Sequence, residues 1–281
     1  MTVRIVCDST ADLEAGYRAD HSVRVVPLKV IFGDEIFEDS MDLTADEFYA
    51  RMRTSPVQPR TSQPTPGEFE AVFREASADG SEVVCTTISA GLSGTYASAE
   101  AARAALPGSA IHVFDTRSVG PGHSALARVA VETAERGGSA ADVLRALSAA
   151  TQTQRVLFTV ETLEYLRRGG RIGGAQALVG SVLSIKPILE MRDGGIEAVD
   201  RVRTFARAVD RIADECAAAA NRWGGGSITI GHAGVPEVAH DLARRLQAHA
   251  VAPIVAAPVS PVIGCHSGPG AVGLSFHRPE R

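Results

Sequence analysis

The stretch Val83-Val84-Cys85-Thr86-Thr87-Ile88-Ser89-Ala90-Gly91-Leu92-Ser93-Gly94-Thr95-Tyr96-Ala97-Ser98 decides the fold. Val83 to Ile88 is a short β-branched run of the kind that makes a buried strand. Thr95 to Leu106 is rich in alanine and predicts a helix. Between them Gly91, Leu92, Ser93 and Gly94 make a strand-to-helix turn with a serine framed by small residues. A helix N-terminus presents unpaired N–H groups and a partial positive charge, so such a turn can hold an oxyanion. Two readings stay open for Ser93 and Thr95: donors to an anion, or caps of the helix.

The same strand–turn–helix unit recurs on either side. Val3 to Cys7 reads as a strand ending in the polar turn Asp8-Ser9-Thr10, and Ala110 to Asp115 as one ending in Thr116-Arg117-Ser118. Helical segments follow near Gly120 to Arg136 and Ala140 to Ala150. Repeated units of this kind predict a mostly parallel sheet covered on both faces, with ligands beyond the carboxyl ends of its strands. Asp8-Ser9-Thr10, Ser89 to Ser93 and Thr116 to Ser118 would share that edge. Val23 to Phe32 is a further β-branched run, and Gly33-Asp34 turns the chain before Glu35 to Phe37. Thr44-Ala45-Asp46-Glu47 fits a capping box opening a helix to about Arg53. Pro56, Pro59, Pro64 and Pro66 make the span around Thr61-Ser62 extended and stiff, until Thr65 caps a helix with Pro66 at its first position.

Past Gln152 the alternation restarts. The chain is therefore expected to form two α/β domains, 1–152 and 153–281, with mostly parallel sheets and a ligand pocket at their interface. In the second half Arg155 to Val160 reads as a strand, and Leu163 to Arg168 as a helix stopped by Gly169-Gly170. Arg167, Arg168 and Arg171 cluster there, and Ala175 to Leu183 reads as an apolar helix. Ile185 to Met191 and Ile196 to Val202 flank Arg192-Asp193-Gly194-Gly195, a hairpin signal, and Thr204 caps a helix to Asn221. Ser227 to His232 and Pro253 to Pro258 are strands around a helix from Glu237 to Ala250. A glycine-framed loop, Gly264-Cys265-His266-Ser267-Gly268-Pro269-Gly270, precedes a last strand, Ala271 to Phe276.

Bulk properties narrow the function. A hydrophobic content of 45% is ample for a core, and a net charge of −5 argues against nucleic acid as the main partner. The four cysteines, Cys7, Cys85, Cys216 and Cys265, show no metal-ligand spacing, and no two histidines share one, so no metal and no cofactor are expected. The N-terminus lacks a basic segment followed by an apolar one, and no apolar run approaches the ~20 residues of a membrane span. A cytoplasmic protein without stable membrane insertion is expected.

Three polar clusters stand out: Thr61-Ser62, Ser93 with Thr95, and His266-Ser267. The enzymatic alternative is a serine hydrolase of esterase or lipase type using Ser93 and His266. Gly91-Leu92-Ser93-Gly94-Thr95 begins like G-x-S-x-G but carries Thr95 where that motif needs glycine. Phosphate-binding glycine loops of either common type are absent from the sequence.

Asp8-Ser9-Thr10, Thr61-Ser62-Gln63-Pro64, Gly91-Leu92-Ser93-Gly94-Thr95-Tyr96, Leu166-Arg167-Arg168-Gly169-Gly170-Arg171-Ile172 and the Gly264–Gly270 segment occur in that order. In this the chain resembles the DegV-like fatty-acid-binding proteins over nearly its whole length. The resemblance implies a non-catalytic two-domain protein that holds one long-chain fatty acid between its domains. It also implies an ATP-dependent fatty acid kinase as partner, making the acyl phosphate used in phospholipid synthesis. Carried over, Thr61 and Ser93 hydrogen-bond the carboxylate and His266 completes the network. Beyond what is carried over, Ser62, Thr95, Ser267 and Arg171 are expected as secondary polar contacts, and Arg203, with Arg171, as a kinase-docking candidate. Gly173-Gly174 departs from the more ordinary helix start of relatives, and Cys265 has no assigned role.

Overall fold

The structure is a computed structural model that describes residues 2–179 and 185–279. The first half runs β1 (Val3–Asp8), α1 (Ala15–Asp20), β2 (Arg24–Val26), β3 (Lys29–Phe32), β4 (Glu35–Glu38), α2 (Ala45–Thr54), β5 (Arg60–Ser62), α3 (Pro66–Ala76), β6 (Glu82–Thr87), α4 (Thr95–Ala104), β7 (Ile111–Asp115), α5 (Pro121–Glu135) and α6 (Ala140–Thr153). The second runs β8 (Arg155–Thr159), α7 (Glu164–Arg168), β9 (Lys186–Arg192), β10 (Gly195–Val202), α8 (Phe205–Trp223), β11 (Ser227–His232), α9 (Pro236–Leu246), β12 (Val255–Pro258), α10 (Pro261–Ser267) and β13 (Val272–His277).

The predicted capping boxes form. Thr44 and Thr65 each accept from the backbone N–H three residues on, and Glu47 and Glu68 reach back to their N-caps. Thr204 caps α8, and the Arg192–Gly195 turn closes the β9–β10 hairpin with Asp193 and Gly194 both in the left-handed region. That turn is the reason for Asp-Gly, since both central residues need positive φ.

Three sheets result. The first, ordered β2-β1-β6-β7, is wholly parallel, with α3 and α4 over one face and α5 and α6 over the other. The second, ordered β10-β9-β8-β13-β11-β12, is antiparallel at every pair but β11–β12. The α/β class holds, while the expectation of mostly parallel strands is corrected here. The β9–β10 hairpin, which its turn residues predicted, makes one antiparallel pair, and the returning strand β13, inserted between β8 and β11, makes two more. The third sheet, β4-β3-β5, is small and antiparallel.

Two other expectations change. The run Val23 to Phe32 is two strands in different sheets, because Pro27, lacking an N–H, interrupts it between β2 and β3. Ala175 falls in a 3-10 turn, Gly173–Leu178; the rest of the predicted helix to Leu183 extends past the described residues. β6 and β12 lie in different sheets. Between the two large sheets sits α5, which packs on β1 and β6 on one side and on β11 and β13 on the other. Its first turns are buried nearly all round, as a helix between two sheets requires. Its N-terminus faces a cavity.

Candidate functional site

Thr61 lies on β5, the edge strand of the small sheet, opposite Val30 of β3. Prolines in the preceding span suit an edge and not a sheet centre. Side chains alternate along a strand, so Thr61 and Ser62 point apart. Thr61 lines the cavity, and the Ser62 hydroxyl donates to the carbonyl of Gln63.

Ser93 stands in the turn before α4, whose N-cap is Gly94 without a side-chain cap. Neither Ser93 nor Thr95 is that cap. Ser93 Oγ lies 2.8 Å from Thr95 Oγ1, and Thr95 is fully buried. Two bonds from the second half hold this turn. Ser89 Oγ donates to Gly194 O of the hairpin at 2.6 Å, and Arg171 Nε donates to Leu92 O at 3.0 Å.

His266 lies on α10, so the glycine-framed loop is corrected to a short helix over Pro261–Ser267. The glycines serve packing against the protein's own aromatics. A Cβ at Gly264 would stand 2.6 Å from Phe48 Cε1 and 2.7 Å from Tyr49 Oη. One at Gly268 would overlap the Tyr165 ring. Two carboxylates of the first half grip the start of α10: Asp12 Oδ1 accepts from Ser260 N and Asp39 Oδ1 from Val262 N, each at 3.0 Å. Burial raises both acids, Asp12 well above the usual carboxylate range and Asp39 to about 6, and the negative charges nearby add to it.

Across the cavity Thr61 Oγ1 lies 2.9 Å from His266 Nε2. Burial pushes His266 down to about 4, and the Arg171 charge pushes the same way, so the ring is neutral at pH 7. Its Nδ1 is buried without a partner among the described residues and faces Gly169, where a Cβ would overlap it. Thr61, Ser93, Arg171, His266 and Ser267 line one cavity with Leu28, Ile88, Val119, Val156, Phe158 and Val262, drawn from both halves of the chain. It encloses about 870 Å³, its open mouth included. Its polar groups are hydroxyls, one imidazole and the Arg171 guanidinium, and its remaining wall is mainly aliphatic. Such a site suits an anionic head with an apolar tail.

Two predicted contacts are not brought there: Ser62 and Thr95 do not line the cavity. Arg203, expected at a docking surface, is exposed beside a different cavity, with Glu161, Arg167 and Lys186. Ser267 lines it, but its hydroxyl donates to Gly268 O. Asp8-Ser9-Thr10, expected on a ligand edge, is consumed internally: Asp8 accepts from Thr10 N, Thr10 Oγ1 and Ile88 N, and Ser9 donates to Asp39. The hydrolase alternative loses its geometry. Ser93 Oγ is engaged with Thr95, His266 Nε2 with Thr61, and His266 Nδ1 has no acidic partner among the described residues. Nothing in the local sequence marks Asp12 or Asp39, because the α10 backbone groups they hold are more than two hundred residues away. Gly169 does carry a signal, but it reads as a helix stop; the left-handed residue is Gly170. Among the described residues no helix is long and apolar enough to cross a membrane, and no cluster of His, Cys, Asp and Glu is placed to hold a metal.

A family model described as an uncharacterised protein of the DegV family matches residues 2–278. A DegV domain-containing protein of Streptomyces coelicolor is 38% identical over 280 residues, covering 97% of each chain. A DegV family protein from Thermus thermophilus, solved in a study of its fatty acid binding, superposes with a TM-score of 0.93 at 35% identity, over 99% of this chain and 100% of that one. DegV of Bacillus subtilis, described as a fatty acid binding protein, gives 0.91 at 31% identity over 99% and 100%. A match along nearly the entire length, in sequence and in fold, leaves one conclusion: the chain belongs to the DegV family.

Proposed function

We propose that this protein binds one long-chain fatty acid, its carboxylate held by Thr61 and Ser93 with His266 behind Thr61, and its tail in the aliphatic cavity. The observation that carries this is the convergence of those three residues, from an edge strand, a turn and a distant helix, on one apolar cavity. A carboxylate leaving water needs donors, and hydroxyls beside a helix N-terminus supply them. Each buried methylene contributes on the order of 0.8 kcal/mol, so a long tail drives the association. The two solved relatives described as fatty-acid-binding, at 35% and 31% identity, support the same ligand class. The ligand lies between two units, 1–152 and 153–281, in this reading.

The protein then acts without turnover, presenting the acid in the cytoplasm to an ATP-dependent fatty acid kinase whose acyl phosphate feeds phospholipid synthesis. This further step rests on family resemblance. Arg203, exposed, is the docking candidate: reversing its charge weakens phosphorylation of the bound acid and spares acid binding. The test of the ligand is mass spectrometry of the organic extract of purified protein, with uptake of added palmitate. About one fatty acid per chain is expected. Extract without lipid, together with no uptake, overturns the reading.

A further inference from the structure

We propose that His266 is fixed as its neutral Nε2–H tautomer, donating to Thr61 Oγ1, so that the Thr61 hydroxyl hydrogen is what a bound carboxylate meets, with Gly169 and Arg171 as the positioning residues that impose this. The inference rests on the fatty-acid reading of the site and adds the direction of its central hydrogen bond.

A neutral imidazole carries one proton, and the two nitrogens compete for it. At Nδ1 a proton would have nowhere to go. The atom is buried with no partner among the described residues, and what faces it is the bare Cα of Gly169. The Gly169 carbonyl is already taken, since Arg171 Nη1 donates to it at 2.6 Å. A buried N–H without an acceptor is rarer and costlier than an acceptor with an idle lone pair. The positive charge of Arg171 also opposes a second proton on the ring. The proton therefore sits on Nε2, 2.9 Å from Thr61 Oγ1.

The direction of that bond decides what Thr61 offers the cavity. A hydroxyl has one hydrogen and two lone pairs. With His266 donating, Thr61 accepts through a lone pair and keeps its hydrogen; Thr61 Oγ1 makes no second bond among the described residues. Were the bond reversed, Thr61 would spend its hydrogen on the ring and turn only lone pairs toward an anion. The first arrangement attracts a carboxylate and the second repels it. The same Arg171 guanidinium holds Leu92 O beside Ser93, so one side chain sets both donors.

The test begins on ligand-free protein, with ¹⁵N NMR of the histidine rings and His266→Gln to assign the signal. A protonated Nε2 with a bare Nδ1 is expected; a protonated Nδ1, or rapid exchange between the two, overturns the proposal. Palmitate affinity then provides a second reading. The Gln amide nitrogen replaces Nε2 and the Asn one replaces Nδ1, so His266→Gln should bind within about threefold of the parent. His266→Asn should lose roughly tenfold, about 1.4 kcal/mol. Asn binding as well as Gln also overturns it. Gly169→Ala should displace the ring signals and weaken palmitate binding, and unmoved signals count against the positioning role. If the parent binds no palmitate, the functional reading fails, while the NMR result still decides the tautomer.

Discussion

Two histidines, His123 buried and His266 half-buried, each hydrogen-bonded to threonine, do opposite things on this molecule. His123, at the start of α5, has both nitrogens engaged: Nδ1 lies 3.2 Å from Thr10 Oγ1 and Nε2 3.0 Å from Thr86 Oγ1. Thr10 is tied in turn to Asp8, so the network closes within the first sheet, and burial lowers the His123 pKa. His266 has one engaged nitrogen, one idle nitrogen, and a threonine whose remaining valence points into a cavity. A polar network that closes on itself builds a scaffold. One that stops short at a cavity wall is a site.

The sharpest way to break this contrast is in the closed network. Asp8→Ala strands the buried N–H groups of Thr10 and Ile88 together and should cost roughly 3–5 kcal/mol in denaturant unfolding. A loss below 1 kcal/mol would mean that the network is not scaffold. In the open one, Thr61→Ala and Ser93→Ala each remove a donor to a charged group, ~1.5–3 kcal/mol of binding or about tenfold and more in affinity. Each also unpairs a neighbour, His266 Nε2 or the buried Thr95 hydroxyl, so the melting temperature of ligand-free protein falls, by less than in Asp8→Ala. Titrations on both variants that match the parent would place the carboxylate elsewhere.

Acid sharpens the comparison next. His266 takes its proton near 6.5 when unfolded and near 4 when folded. Between those values the unfolded chain holds more protons, so stability rises with pH and is lost on acidification. His277, also pushed down to about 4 by burial, acts in the same direction. Asp39 opposes them, because its folded value of about 6 exceeds 3.8 and stability falls as pH rises between the two. His266→Gln should narrow the stability gap between pH 4.5 and 7 by about 1–2 kcal/mol. Urea midpoints at the two pH values, identical in gap for parent and variant, would show that His266 is not buried neutral. The smallest effects belong to Ser62→Ala and Ser267→Ala, whose hydroxyls bond neighbouring carbonyls. Each should change palmitate affinity less than twofold; a tenfold loss at either would redraw the site.

The first sheet was legible because its signals are local: Val83–Ile88 with its turn and helix, the capping boxes at Thr44 and Thr65, and strands of uniform direction. The second sheet was not, because direction there depends on where β13 inserts, a choice made by residues far along the chain. Gly264 and Gly268 misled for a physical reason. Glycine is a poor helix former, yet at Gly264 the Phe48 and Tyr49 rings leave no room for a Cβ, and packing overrides propensity. Thr61 and His266 stand 205 residues apart, and no periodicity joins them. Family resemblance singled out both; neither spacing nor composition carried their distance.

The place of β13 has a consequence for how the protein is made. Its neighbours β8 and β11 are both synthesised earlier and wait for it, each with an open edge. Until Val272–His277 emerges, the nascent second half exposes two unpaired strand margins to other chains in the cell. A message truncated just upstream of Val272 would keep every residue named in the carboxylate site and still yield a product for chaperones and proteases.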